Sequence, residues 1–90
     1  MQSKNNVLSI NAAKDHTNFH IEIDKKGSGV AFFCSGVRGI NEFSKDKIVL
    51  SLFSFSVTVE GKELSLTVFE AKAVEIVGKV LEVKFQYGKT

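Results

Sequence analysis

Proline and tryptophan are absent from this sequence, and cysteine, methionine and tyrosine occur once each. Without proline, no sheet edge is blocked by a residue that cannot pair. A single cysteine, Cys34, excludes an internal disulfide framework and a multi-thiolate metal site within one chain, and it fits a reducing compartment. Arginine is nearly missing as well: Arg38 is the one arginine, and most lysines alternate with glutamate. That leaves no clustered, aromatic-interleaved basic patch of the kind that grips nucleic acid. The bland role of such lysines is a solvated face that also discourages edge-to-edge pairing. No apolar run approaches the roughly 18 residues that span a bilayer, and the opening MQSKNNVLS lacks the apolar core of a signal peptide. The expectation is a cytoplasmic protein without a transmembrane segment.

What the chain does have is apolar residues in short alternating groups. Its 90 residues are 43% hydrophobic, with eight phenylalanines, 24% charged residues and a net charge of +2. That is one domain, and a chain of this length buries only roughly 60 to 65% of the surface it exposes when unfolded. The organising stretch is Ile48 to Gly61. Ile48, Leu50 and Leu52 share one parity, whereas Phe53, Phe55, Val57 and Val59 share the other. Strand side chains point alternately to opposite faces, so one straight strand would put half of this set into water. The chain must turn or bulge near Phe53. A hairpin follows, Ile48 to about Leu52 and about Phe55 to Val59, joined through Phe53 and Ser54 and closed at its far end by a turn at Glu60-Gly61-Lys62.

The flanking segments read as further short strands. Residues 1–18 form a poorly ordered N-terminal arm in which Val7-Leu8-Ser9-Ile10 is a possible short strand, and Asn11 to Asn18 is a connection. Phe19, Ile21 and Ile23 alternate with His20, Glu22 and Asp24 as a half-buried strand. Gly27 and Gly29 mark a turn. Val30 to Cys34 is apolar on both sides, as in a strand covered on both faces or at a subunit contact. Gly36 and Gly39 suggest a bulge or bend that lets Ile40 and Phe43 point back to the core. Leu64, Leu66 and Val68 make the next strand, Glu70 to Ala73 a helical turn or loop, Val74 to Val77 a very short strand ended by Gly78, and Val80 to Tyr87 the last strand. The fold class is therefore all-β, a small single-domain antiparallel meander packed as a compact sheet, roll or sandwich. The predicted core includes Ile21, Phe32, Leu50, Val57, Leu66, Ile76, Val83 and Phe85, with the inward parity left open.

From His20 onward the ordered set of motifs resembles the YabP/YqfC family of small sporulation proteins from endospore-forming bacteria. Gly36-Val37, Ile40 and Phe43 are similar to the family's glycine-led segment. Ile48-Val49-Leu50 and Val57-Thr58-Val59-Glu60-Gly61 resemble its hairpin strands, followed by Leu64 and Leu66. Val74-Glu75-Ile76-Val77-Gly78-Lys79-Val80 with Val83 and Phe85 resembles its terminal strand, glycine, strand pattern. The chain departs from the family at Phe53-Ser54-Phe55-Ser56, where glycine or polar residues are usual, and over its first nineteen residues. The resemblance implies a YabP/YqfC-like domain over residues 19–90 and a role in endospore formation, in the mother cell and connected with the spore envelope. It implies no catalytic residues.

The residues themselves offer little chemistry. His16 and His20 are four apart, a ligand spacing on a helix but not on a strand, and Asp15 or Glu22 are the only neighbouring candidates for a third ligand. Exposed or hydrogen-bonding histidines are the ordinary case. Cys34, between Phe33 and Ser35 in an apolar strand, reads as a small inert hydrophobe. Ser51, Ser54, Ser56 and Ser65 lack a nucleophile-elbow context, and Gly27-x-Gly29 leads into a strand rather than a phosphate-binding helix. No enzyme, cofactor or metal is expected. The leading expectation is a structural or assembly protein that uses sheet edges and the apolar tip Phe53 and Phe55 to bind copies of itself, as a homo-oligomer, or another spore-morphogenesis protein. The alternative is a small-barrel nucleic-acid-binding module, with Phe and Lys on one face stacking bases.

Overall fold

The structure, a computed structural model, describes residues 19–70 and 72–87. The arm over 1–18, with its candidate strand Val7 to Ile10 and connection Asn11 to Asn18, lies outside the described residues. Six strands follow: β1 (His20–Lys26), β2 (Gly29–Ser35), β3 (Gly39–Phe43), β4 (Lys47–Ser51), β5 (Phe55–Phe69) and β6 (Ala73–Tyr87). All pair antiparallel in one unclosed sheet of order β1-β2-β6-β5-β4-β3. The fold is all-β. β3 to β6 run as a meander, and the β1–β2 hairpin adds to the free side of β6.

The phase change at Phe53 is a turn. Ile48 pairs with Val59 and Leu50 with Val57, and the Leu52 amide donates to the Phe55 carbonyl at 2.8 Å to close the tip. The phase changes farther on are not strand ends. Gly61 does not make a turn between two strands, because β5 continues through it to Phe69, and Gly78 does not end a strand, because β6 continues to Tyr87. Both strands bend at the same level instead. The ladder slips between Glu60 and Gly61, where Leu81 is skipped on β6, and again between Lys62 and Ser65, where Glu63 and Leu64 stand opposite Gly78. The bend is held from outside: the Gly61 amide donates to the Asp46 carbonyl at 3.0 Å and the Leu64 amide to the Lys45 carbonyl at 2.9 Å. Leu64 has no partner in the β5–β6 register, and its amide is satisfied in this way. Three glycines let the backbones close in there. A Cβ on Gly61 would lie 2.0 Å from the Lys79 carbonyl oxygen, one on Gly78 2.7 Å from that of Glu63, and one on Gly29 2.6 Å from that of Gly78.

The bend divides the sheet into two leaves. One holds β1, β2, the start of β6 and the end of β5; the other holds β3, β4, the start of β5 and the end of β6. Their inner faces share one core, with Ile21, Phe32, Cys34, Leu64, Val74 and Ile76 from the first and Ile48, Leu50, Leu52, Val57 and Val59 from the second. Each large apolar side chain fully buried in it contributes roughly 1.5 to 3 kcal/mol. The inward parity is now defined, and it reverses in β5 and β6 across the bend. Of the predicted core, Leu66 and Val83 pack at its margin, and Phe85 is a correction: it pairs with the buried Val57 but is itself 36% exposed, its ring stacked on Phe55 at the tip end of the sheet. Ile40 and Phe43 are corrections too. The bulge between Ile40 and Glu42 sets both opposite buried residues, Leu50 and Ile48, but β3 is the edge strand with no neighbour on its far side, and both side chains stay exposed. Ile23 shares the parity of Ile21 and pairs with the buried Phe32, but on the edge strand β1 it is exposed.

Candidate interaction surface

The tip of the β4–β5 hairpin sends its two phenylalanines in different directions. Phe55 has the parity of Val57 and Val59, so its ring turns inward. It stacks on Tyr87 at 5.2 Å and Phe85 at 6.0 Å and takes the edge of Phe19 at 5.1 Å. Phe53 sits at the crest of the turn and is 57% exposed. The Arg38 guanidinium lies 5.3 Å over its ring, a cation–π arrangement.

Arg38 is placed there by the link between β2 and β3. Gly36 takes a positive φ of 85°, which turns the chain out of β2. The Val37 amide then donates to the Lys72 carbonyl at 3.0 Å and the Arg38 amide to the Ser51 carbonyl at 2.7 Å. The link is thus strapped between the β5–β6 turn and the end of β4. Beneath it lies a small groove of about 170 Å³ lined by Val37, Arg38, Gly39, Ile40, Val68, Lys72, Ala73 and Val74. A second, wider cleft of about 480 Å³ opens at the bend, where Lys26, Lys62, Lys79 and Glu63 surround Gly29 and Gly78. Sequence reasoning passed over the groove because its walls come from β3 and β5, 28 positions apart between Ile40 and Val68. The available signal was the lone arginine set between two glycines.

Cys34 is buried in the core, and desolvation pushes its thiol up from 9.0 to about 11. At neutral pH it is a protonated, weakly nucleophilic group. His20 pairs with Glu22 at 3.1 Å on the exposed edge strand β1, two residues apart on one face. His16 and Asp15 lie outside the described residues. Among the described residues no three His, Cys, Asp or Glu side chains come together as a metal site would require. Ser51 Oγ donates to the Gly39 carbonyl and Ser65 Oγ to the Val77 carbonyl, both at 3.4 Å, so these hydroxyls stitch strands. On the outer face of the second leaf Lys84 faces Glu60 at 3.8 Å. Among the described residues there is no helix long and apolar enough to cross a membrane.

The strands that build the bend, the hairpin tip and the groove coincide with a family signature. A family model described as the YabP family matches residues 30–90, from β2 to the end of the chain. The chain belongs to the YabP family. This family is associated with sporulation, and its matched segment contains every groove residue and both tip phenylalanines, whereas β1 precedes it. No curated protein and no solved structure matches the chain.

Proposed function

We propose that this YabP-family protein is a non-enzymatic structural or assembly component of endospore formation, acting in the mother-cell cytoplasm at the developing spore envelope through protein–protein contacts. The observation that carries the reading is Phe53. A ring more than half exposed at a hairpin crest contributes little to the monomer, and clustered apolar side chains on a surface mark contact sites. Val68, Leu81 and Tyr87 add to the exposed apolar surface. The partner is a second copy or another spore-morphogenesis protein. Side-chain surfaces rather than open sheet edges serve this role, since both edges are guarded: β1 carries Glu22, Asp24, Lys25 and Lys26, and β3 is five residues long and bulged.

The test is a pull-down from sporulating cells with wild-type protein and Phe53→Ser, together with light scattering over a concentration series. The expected result is a protein partner or a concentration-dependent mass, reduced by the substitution and indifferent to nucleic acid. A salt-sensitive complex with single-stranded DNA or RNA, with neither protein partner nor self-association, would replace this reading with the nucleic-acid module.

A further inference from the structure

The groove beside Arg38 combines an apolar slot with positive charge that is unpaired among the described residues. Its floor is apolar and buried, at Val37 and Val74, and its two walls are apolar and exposed, Ile40 at 39% and Val68 at 63%. Its charged lining is Arg38 and Lys72, without a carboxylate. Among the described residues neither cation has an acidic side chain within ion-pair distance. The Arg38 guanidinium lies 5.3 Å over the Phe53 ring on an exposed side chain, and a guanidinium so placed keeps donors free for a carboxylate. Two cationic side chains thus line an apolar slot.

We infer that this groove docks an extended acidic segment of a partner protein, with one apolar side chain seated between Ile40 and Val68 and flanking carboxylates on Arg38 and Lys72. The inference rests on the proposed contact function and names the partner's chemistry. Charge decides against a second copy as occupant. In a two-fold dimer through this surface the same patch meets itself, so Arg38 and Lys72 would approach their own counterparts in a chain whose net charge is already +2. Like charges set face to face disfavour such a pairing, whereas an acidic partner is attracted to the same rim.

The test is a nuclear magnetic resonance titration of the full chain, isotope-labelled, with three blocked synthetic peptides: Asp-Glu-Leu-Glu-Asp, the same peptide with Ala for Leu, and Lys-Lys-Leu-Lys-Lys. The first should shift the amides of Gly39, Ile40, Val68 and Val74, and the other two should not. Arg38→Gln with Lys72→Gln should weaken the first peptide at least about ten-fold. Arg38→Glu with Lys72→Glu should transfer the preference to the lysine peptide, its unchanged thermal midpoint showing that the fold survives. Equal response to the alanine peptide, shifts centred on Lys26, Lys62 and Lys79, or no response in the groove would each overturn the inference. So would a dimer in light scattering that Arg38→Glu with Lys72→Glu disrupts. In pull-downs, capture of one partner by both wild type and the charge-reversed protein overturns the groove and leaves the contact function standing. A groove that answers the peptide in a protein that captures nothing and stays monomeric removes the contact function and keeps the groove.

Discussion

Phe53 and Phe55 are two residues apart, yet one ring meets water and a guanidinium while the other is enclosed by three aromatic rings. Truncation should separate them. Phe55→Ala removes contacts to Phe19, Phe85 and Tyr87 and leaves a void, so urea unfolding should show a loss of about 2 kcal/mol or more. Phe53→Ser gives up one exposed cation–π contact and should cost less than about 1 kcal/mol. Cys34 has its own signature at high pH. The unfolded thiol ionises near 9.0, the folded one only near about 11. Between those values the folded state holds the proton that the unfolded state has lost, so stability attributable to Cys34 is full below pH 9 and falls as pH rises through 11, by roughly 3 kcal/mol in all. Cys34→Ala should cost about 1 to 2 kcal/mol near neutrality through lost packing. Its unfolding free energy, followed from pH 8 to 11, should fall less steeply than that of the wild type.

At the level of the strands, the decisive feature is the paired bend of β5 and β6. Gly61→Ala would drive a Cβ into the Lys79 backbone, and neither partner is a flexible side-chain end. The expected cost exceeds about 2 kcal/mol, read from the urea midpoint. Gly27, in the two-residue β1–β2 turn, takes a positive φ of 61° but has open space around its α-carbon. Gly27→Asn, a residue that tolerates that conformation, should therefore stay within about 1 kcal/mol of wild type. Glu63 holds a left-handed φ of 52° inside the bulge. Relieving it with Glu63→Gly should raise stability by up to about 1 kcal/mol, the strain removed being partly offset by the freer unfolded chain.

For the molecule as a whole, an unclosed sheet has two edges to protect, and this one protects them differently. β3 relies on shortness and a bulge, β1 on charge. Replacing Lys25 and Lys26 together by Thr and Val should expose a flat, apolar β1 edge and raise the apparent mass in light scattering at concentrations where wild-type protein does not change. No rise would mean that Ile23 and the strand backbone are shielded by something other than these charges. The outer face of the second leaf is polar, with Lys84 Nζ 3.8 Å from Glu60 Oε2, and such a charged face disfavours the stacking of one sheet on another.

Local pattern alone determined the all-β class, the β4–β5 hairpin, the β1–β2 turn and the buried status of Phe32, Leu50, Val57 and Ile76, because a period of two and a glycine-marked turn are properties of neighbouring residues. The YabP motifs, from Gly36 to Phe85, were equally legible as a string. What the alternation left open was the meaning of its phase changes. A turn between two strands and a bulge within one both reverse the inward parity, so Phe53, Gly61 and Gly78 looked alike along the chain. Only the tertiary structure separates them: Gly61 and Gly78 lie across the same ladder from each other's flanks, so the two strands bend together and neither ends. The groove was decided at the same level. Arg38, Ile40, Val68 and Lys72 come together because the β2–β3 link is tied to both the end of β4 and the β5–β6 turn, and contacts between segments so far apart in the chain leave no period for a local reading to detect.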